Sequence, residues 1–426
     1  MIKLKNLFDK LSEHSLSSSL LEDLKLIKNI DTCGYVNVNI LNNDTLEDLI
    51  TQYDNSKYPS ITCGILTYNE ERCIKRCLEN LTEEFNEVIV LDSYSTDATV
   101  KIINENFSTV KVFFEPWIED FSFHRNKIIE LASSDWIYFI DADNWYDPDN
   151  KGKIRRIAKL INFLNIKCIV SPMICEHDGH VYTDNRKMFS LKDNLHFTGK
   201  VHEEPISTNG NIPENITVDI MVHHDGYNPK FVDQLKKNSR NIKLTEQMIE
   251  LEPSNPKWLY FYARELYQVK EGVERIQPLL LKAMTLYGTS TYKRYQPEVT
   301  LLLCKIYFQT GQFQKLSECV DLLESLHPNC SDVDYYRTVL LFFDIRVRTK
   351  KLKDSLKLHS FSENEEKYSF ISSSNEHIKA LLIQLHWYLD DWDNAIKLYE
   401  EIESNETKQE ISSYFNALKN KVHKIV

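Results

Sequence analysis

Apolar positions follow two regimes along the chain, and the change comes near Pro253. Before it, Ile61-Thr62-Cys63-Gly64-Ile65-Leu66-Thr67 and Glu87-Val88-Ile89-Val90-Leu91 are almost continuous β-branched or apolar runs, which predict central parallel strands covered on both faces. Between them Ile74, Leu78 and Leu81 keep helical spacing over Glu70 to Leu81, so the segment predicts a strand–helix–strand crossover. A third short strand is expected over Val110 to Phe114, a helix over about Asp120 to Ala132, and a strand over Trp136-Ile137-Tyr138-Phe139-Ile140. Asp147-Pro148 then opens another helix with proline in its first turn. Residues 1–55 carry weaker periodicity, around Leu20-Leu21, Leu24, Ile27 and Leu46, Leu49, Ile50, and predict short polar helices.

Beyond Pro253 the strand signals vanish and one short pattern recurs. Leu266-Tyr267 precedes Lys270-Glu271, Tyr307-Phe308 precedes Gly311-Gln312-Phe313, a weaker Val347-Arg348 precedes Lys351-Leu352, and Trp387-Tyr388 precedes Asp390-Asp391-Trp392. Counted from Lys270, Gly311, Lys351 and Asp390, the spacings are 41, 40 and 39 residues. Each unit ends one amphipathic helix in an aromatic or apolar pair, turns over a few polar residues and starts a second, as in Ala395-Ile396-Leu398-Tyr399. A fixed period near 40 predicts a stacked α-solenoid resembling tetratricopeptide repeats in layout, with an irregular helical bundle as the alternative. The expected organisation is therefore a helical extension over 1–55, an α/β domain over 56–250 and an all-α helical-repeat domain over 251–426.

Composition narrows the function. With 426 residues, 42% of them hydrophobic, and only ten glycines, the chain reads as two or three well-packed domains with little linker. A formal net charge of −12 excludes a general phosphate-backbone binder, which needs a basic face, so no nucleic-acid partner is expected. No apolar run approaches the roughly 18 to 20 residues that span a bilayer, and Met1-Ile-Lys-Leu-Lys-Asn-Leu-Phe lacks the apolar centre of a signal peptide. A cytoplasmic protein with no membrane span is expected. Nine scattered cysteines without Cys-x-x-Cys spacing suit reduced thiols, and Cys73 and Cys77, one helical turn apart, suit core packing.

The chemistry begins where the Trp136 strand breaks into Asp141-Ala142-Asp143. A rigid apolar strand holds two carboxylates at fixed spacing over the carboxyl edge of the sheet, where ligands of open α/β folds bind. Hard carboxylate oxygens there suit Mg²⁺ or Mn²⁺ shared with nucleotide phosphates. Thr67-Tyr68-Asn69-Glu70-Glu71 and Asp92-Ser93-Tyr94-Ser95-Thr96-Asp97 follow the first two strands and emerge at the same edge, where they could bond a base and a ribose. The second loop also reads as an Asx and Ser/Thr cap for the next helix. Phe121-Ser122-Phe123-His124-Arg125-Asn126-Lys127 places cations at the start of a helix, suited to phosphate. Downstream, Gly199-Lys200-Val201-His202-Glu203-Glu204-Pro205 and Val222-His223-His224-Asp225-Gly226-Tyr227 cluster histidines and carboxylates. A carboxylate there can accept a proton from a nucleophile, and a histidine can complete a metal site; half-buried strand histidines are the plainer reading of His202 and His223. His177-Asp178-Gly179-His180 reads as a hairpin turn rather than a zinc spacing.

Taken together, Thr-Tyr-Asn-Glu, Asp92-Ser-x-Ser-x-Asp97, Arg125-Asn126 and Asp141-x-Asp143 resemble glycosyltransferase family 2 over residues 60 to about 230. That family implies a GT-A, Rossmann-like catalytic domain and inverting transfer from a sugar nucleotide. A closer resemblance, to the SunS-type peptide glycosyltransferases that modify glycocin bacteriocin precursors, is carried by Ile61-Thr62-Cys63-Gly64, Phe85-Asn86-Glu87 leading into Val90 to Asp97, Trp136 to Asn144, Gly199 to Pro205, His224-x-Gly226-Tyr227-Asn228-Pro229 and Leu251-Glu252-Pro253-x-Asn255-Pro256-Lys257-Trp258-Leu259. It implies hexose transfer, glucose or GlcNAc, from a UDP-sugar to a Cys thiol or a Ser/Thr hydroxyl of such a peptide, by a protein expected to be a homodimer. It further implies that Thr67, Asn69, Glu70, Asp92, Ser93, Asp97, Arg125, Asp141 and Ala142 hold the nucleotide sugar, and that Asp141, Asp143 and His224 meet Mg²⁺ or Mn²⁺. Glu203 would be the acceptor base, with Glu204 the alternative, as His223 is to His224. The helical half would then hold the peptide. A family 2 enzyme acting on a cell-envelope or lipid-linked saccharide is the second reading. A dead transferase domain on a repeat scaffold is the third, against which Asp141, Asp143, Asn69 and Glu203 stand intact.

Overall fold

The computed structural model describes residues 2–13, 18–36, 43–210, 212–226, 234–360 and 375–422. The Tyr227-Asn228-Pro229 part of the motif after His224 lies outside them. Two compact units are present, Met1–Leu286 and Tyr287–Val426; their division falls beyond the expected boundary at 250, and the helix Pro256–Gln268 belongs to the first.

In the first unit a nine-stranded mixed sheet runs in the order Lys111–Phe114, Glu87–Asp92, Ile61–Thr67, Trp136–Phe139, Met188–Ser190, Cys168–Glu176, Glu214–His224 and Asn144–Tyr146, with Val181–Tyr182 paired to Cys168–Glu176. The first four strands are parallel; the apolar runs of Glu87–Asp92, Ile61–Thr67 and Trp136–Phe139 suit strands covered on both faces, while Lys111–Phe114 is a half-exposed edge. Met188–Ser190 then enters antiparallel on both sides. The expected crossover helix is two short pieces, Ile74–Leu78 and Leu81–Glu84. Asp147-Pro148 opens a 3₁₀ turn over Pro148–Asn150, and the helix itself starts at Lys153.

Two apolar layers cover the sheet. On one side Ile61, Val90, Tyr138 and Ile157 share a cluster with Leu4, Leu7, Leu11, Leu20 and Leu24. The N-terminal helices Leu4–Glu13, Ser19–Leu24 and Asn43–Asn55 are therefore a wall of this core rather than an appendage. The Arg156 Nε donates to Asp23 Oδ1 at 2.5 Å, and the Tyr53 hydroxyl donates to the same buried carboxylate. On the other side Ile128 and Phe197 pack on Ile89, Ile137 and Phe139. Gly64 makes this approach possible: a Cβ there would stand 2.7 Å from Ile128 Cγ2 and 3.0 Å from Phe139 Cε1. The helix Phe121–Leu131, capped by Asp120 accepting from Phe123 N–H, thus lies low enough to bring Arg125 to the strand ends.

The helical turns expected from the 40-residue period recur in geometry as well as sequence. Lys270, Gly311 and Asp390 all adopt left-handed backbone, with φ of 59°, 69° and 60°. Immediately after them, Glu271, Gln312 and Asp391 N–H groups donate back to Leu266, Tyr307 and His386 carbonyls, the six-to-one bond of a Schellman cap. The degenerate unit at Lys351 differs. It has no turn, because Ser331–Ser360 is one continuous helix; nothing at Val347 to Leu352 supplies a left-handed cap, and all six residues are tolerated in a helix interior. Lys351→Pro is accordingly expected to cost about 3 kcal/mol, by removing an interior amide donor and clashing with the preceding turn. Chemical denaturation measures it, and a wild-type midpoint would mean that the segment bends there.

Candidate active site

Strand register assembles the site. The Ile61, Glu87 and Trp136 strands end side by side, with Thr67 opposite Asp92 and Gly64 opposite Phe139. At the first two ends the loops are strapped to one another. The Thr67 hydroxyl donates to Asp92 at 2.9 Å, Asn69 N–H donates to Ser95 Oγ at 2.8 Å, and Asn69 Oδ1 accepts from Thr96 N–H at 2.8 Å. Glu70 N–H bonds Thr99 Oγ1 and Glu71 N–H bonds Asp97, while Ser93 N–H bonds the Thr67 carbonyl. Asp92 is fully buried and also accepts from the Ser95 amide and hydroxyl. Its carboxylate, like that of Asp97 on Thr99, holds the loop in shape. Asn69 and Tyr94 sit at φ of 57° and 59°, left-handed positions that persist where surroundings over-determine them. Burial, with Asp143 and Asp97 nearby, raises the Glu70 carboxyl, which the Cys73 thiol contacts at 3.0 Å.

The third end carries the acidic pair. Asp141 to Asn144 forms a turn closed by Asn144 N–H on the Asp141 carbonyl, and the two carboxylates part. Asp141, its side chain 41% exposed, receives Arg125 Nη2 at 2.9 Å and Lys187 Nζ at 2.9 Å. Partial desolvation at the crowded strand end opposes its ionisation, but these two cations outweigh it and hold the carboxyl far below the usual range. Ala142, between them, is buried. Asp143 turns to His224, 3.1 Å from Oδ2 to Nε2.

That contact follows from pairing. The antiparallel register sets His224 opposite Asn144 and His223 opposite Trp145, and the parallel register sets His224 beside Glu176. Glu176, 5% exposed, lies 2.8 Å from His224 Nδ1. Burial disfavours charge on this imidazole, yet Asp143 and Glu176 raise it to about 9. The neighbouring His223 points to the other face, stacked on Trp145 and 2.7 Å from Asp147. Gly226 closes over the pair, since a Cβ there would stand 2.0 Å from Asp143 Oδ2 and 2.2 Å from His224 Nε2. Asp225 beside it is clasped by Arg72 and Arg76.

Arg125 joins the two halves of the site. Its side chain is 5% exposed; Nε donates to Glu203 Oε1 at 2.6 Å, and Nη2 to Asp141. Burial would lower its pKa, but Glu203 and Asp141 raise it well above the ordinary arginine value. Nη1 is buried and has no partner. Glu204 is not in this cluster. It faces away, 5% exposed, with Lys257 Nζ at 2.7 Å.

Glu176, Lys187, Arg72, Arg76 and Lys257 were not among the expected residues. Glu176 and Arg76 come from a strand and a helix, Arg72 and Lys187 from the connections beside them, and Lys257 bonds Glu204 next to the cluster; of these only Lys257, in the run Pro256-Lys257-Trp258, carried any signal. The His177 segment is the expected turn, with Gly179 at φ 86° and the Glu176 amide bonded to the His180 carbonyl. Cys73 and Cys77 are buried core residues.

The glycosyl transferase family 2 model matches residues 62–224, the span that builds this site. The SPbeta prophage-derived glycosyltransferase SunS of Bacillus subtilis (strain 168) is 41% identical over 424 residues, covering 100% of this chain and 98% of that protein. The chain belongs to the SunS-type family 2 glycosyltransferases. Among solved structures, Staphylococcus aureus TarS in complex with UDP matches this SunS-type chain at 18% identity and TM-score 0.32, covering 67% of it and 91% of the TarS chain. The mannosyltransferase PcManGT of Pyrobaculum calidifontis, in complex with GDP-Man and Mn²⁺, matches at 18% identity and TM-score 0.35, covering 70% and 95%. The α/β half of the SunS-type chain is a GT-A-like transferase domain, and its described C-terminal region is all helical. Among the described residues no helix is long and apolar enough to cross a membrane.

The donor set at Asp143 and His224 fits a divalent cation. A carboxylate oxygen stands beside an imidazole whose far nitrogen is held by Glu176, the carboxylate–histidine arrangement that orients metal-binding histidines. Among the described residues no cluster of three or more such ligands exists, so further ligands would be phosphate oxygens and water. Glu176→Gln is expected to weaken Mn²⁺ binding by about 10–100-fold while leaving the thermal midpoint near wild type. Calorimetric titration with Mn²⁺ reads this directly, and unchanged affinity would remove His224 from the metal site.

Proposed function

We propose that the chain transfers a hexose, with inversion, from a UDP-sugar to a Cys thiol or Ser/Thr hydroxyl of a bacteriocin-type precursor peptide in the cytoplasm. The observation that carries this reading is the full-length match to SunS together with Arg125, which bonds Glu203 through Nε and Asp141 through Nη2 and keeps a buried Nη1 without a partner. A buried guanidinium atom without an acceptor is suited to an anionic ligand oxygen.

In this reading the strapped loops at Thr67 to Glu70 and Asp92 to Asp97 form the nucleoside cradle through backbone groups, the exposed Asn69 and the half-buried Ser93, while Asp92 and Asp97 brace it. Arg125 and Lys187 face the donor's negative charge. Asp143 and His224 would hold the Mg²⁺ or Mn²⁺, which when bound takes up charge on the departing diphosphate. Glu203 takes the proton from the acceptor, whose oxygen or sulfur attacks the anomeric carbon opposite UDP. The bond to the phosphate oxygen breaks, and its electron pair leaves with UDP. A thiol with a pKa near 8.5 needs this base far less than a hydroxyl does. The all-α repeats, whose described residues carry no catalytic cluster, would supply the peptide-binding surface.

The test is direct. Full-length protein incubated with UDP-glucose or UDP-GlcNAc, Mn²⁺ and a leader-bearing peptide containing Cys and Ser is expected to add hexose to the peptide by mass spectrometry and to release UDP in step. Sugar transfer to a lipid-linked saccharide, with none to any such peptide, would overturn the proposal.

A further inference from the structure

The segment that carries Glu203 is held from outside the nine-stranded sheet. Leu195–Thr198 and Glu204–Ser207 form their own two-stranded ladder, and Gly199 to Glu203 connect them. Lys200 is held by the Phe121 amide, Met248 and Gln247, and the remaining contacts of this connection on either side of Glu203 come from one face of the helix Pro256–Gln268. Lys257, Phe261 and Glu265 follow at four-residue steps, with Trp258 beside them, so they share that face.

Each touches the segment at a different place. Trp258 covers Gly199, where φ is +100° and a Cβ would stand 2.5 Å from the indole Cη2. Phe261 stacks on the His202 ring at 4.0 Å and 10°, and His202 Nε2 lies 3.1 Å from Glu265 Oε1. Arg264 Nη2 donates to that same Glu265 oxygen at 2.9 Å. Lys257 meets Glu204 at 2.7 Å with both side chains almost fully buried. The helix therefore clamps the residues on both sides of Glu203 and leaves Glu203 itself to turn towards Arg125. His202 sits at φ 50°, a conformation that a non-glycine residue keeps only where its surroundings impose it. A buried ion pair is a weak source of stability compared with apolar packing of the same volume, and its best-attested use is to set register.

Resting on Glu203 as the acceptor base, we propose that the Lys257–Trp258–Phe261–Glu265 face is a positioning element of the active site, which fixes His202 and Glu204 and so aims the Glu203 carboxylate at the acceptor. These residues act through Glu203 and touch neither substrate.

The experiment uses the full chain with the double variant Lys257→Met/Glu204→Gln, which avoids stranding either charge, and with Phe261→Leu, which keeps the space apolar but removes the stacking surface. Both are compared with wild type and Glu203→Gln on a Ser and a Cys acceptor peptide, after thermal melts confirm folding. For both positioning variants, kcat with the Ser acceptor is expected to fall about ten- to a hundred-fold, as for a small misplacement of a reacting group. The KM for UDP-sugar stays within about twofold and kcat with the Cys acceptor falls much less. Lys257→Arg, which can still pair with Glu204, is expected to recover most of the Ser activity. If either folded variant matched wild-type kcat on Ser while Glu203→Gln was inactive, the positioning role would be overturned and the base retained. Equal losses on Ser and Cys, or a parallel rise in donor KM, would mark general damage and overturn it too. Wild-type Ser turnover by Glu203→Gln would instead remove the base assignment, and the inference with it.

Discussion

Asp143→Asn is expected to lower sugar transfer by on the order of 10³-fold, because charge stabilisation by a bound metal is worth several kcal/mol and about 1.4 kcal/mol is tenfold in rate. The substitution keeps the volume of a turn residue and removes the charge that faces His224 at 3.1 Å, so the fold is expected to persist. Asp141→Asn should abolish transfer as well. It leaves Arg125 and Lys187, both within 2.9 Å of that carboxylate, without their shared counter-charge. UDP release with Mn²⁺ or Mg²⁺ measures both variants, and Mn²⁺ titration separates them, since the Asp143 variant carries the larger loss of metal affinity. Undiminished wild-type turnover in excess EDTA would refute the metal assignment altogether.

Glu203→Gln is expected to cost about 10² to 10⁴ in kcat with a Ser or Thr acceptor and far less with Cys, whose thiolate fraction near neutral pH already attacks without help. The amide can still accept the Arg125 Nε bond now made at 2.6 Å, so local geometry is retained while the proton acceptor is lost. Glu204→Gln alone acts differently: it takes a charge from a buried pair with Lys257 and is expected to show first in thermal stability. A large hydroxyl-selective loss in Glu204→Gln, with none in Glu203→Gln, would exchange their roles.

Much of the architecture was legible without coordinates, because it rests on local signals. Continuous apolar runs specify strands covered on both faces, and that is where Ile61–Thr67, Glu87–Asp92 and Trp136–Phe139 lie. Polar residues at a strand's carboxyl end must collect at one edge when the strands are parallel, so Asn69, Asp92 and Asp141 come together whatever the rest of the chain does. Helix ends likewise announce themselves in short range, as Lys270, Gly311 and Asp390 do. Lys351 misled because spacing alone suggested a turn, whereas its residues are all content inside a helix.

Tertiary structure decided what depends on phase and on distant partners. Adjacent strand residues face opposite ways, and a shift of one position exchanges them; the residue pattern by itself does not separate His223 from His224, or Glu203 from Glu204, and only the family resemblance favoured His224 and Glu203. Register sets where the two histidines face, pairing His224 with Asn144 and Glu176 and leaving His223 to Trp145. The same holds for the N-terminal helices, whose weak periodicity hid leucines that are buried against the sheet, and for the helix Pro256–Gln268, which reads locally as the start of a repeat but packs beside Glu203. Local composition determines which elements form and which chemistry they can carry. Which carboxylate meets which cation is set by contacts between residues tens to hundreds of positions apart, and those exist only once the sheet has closed its register.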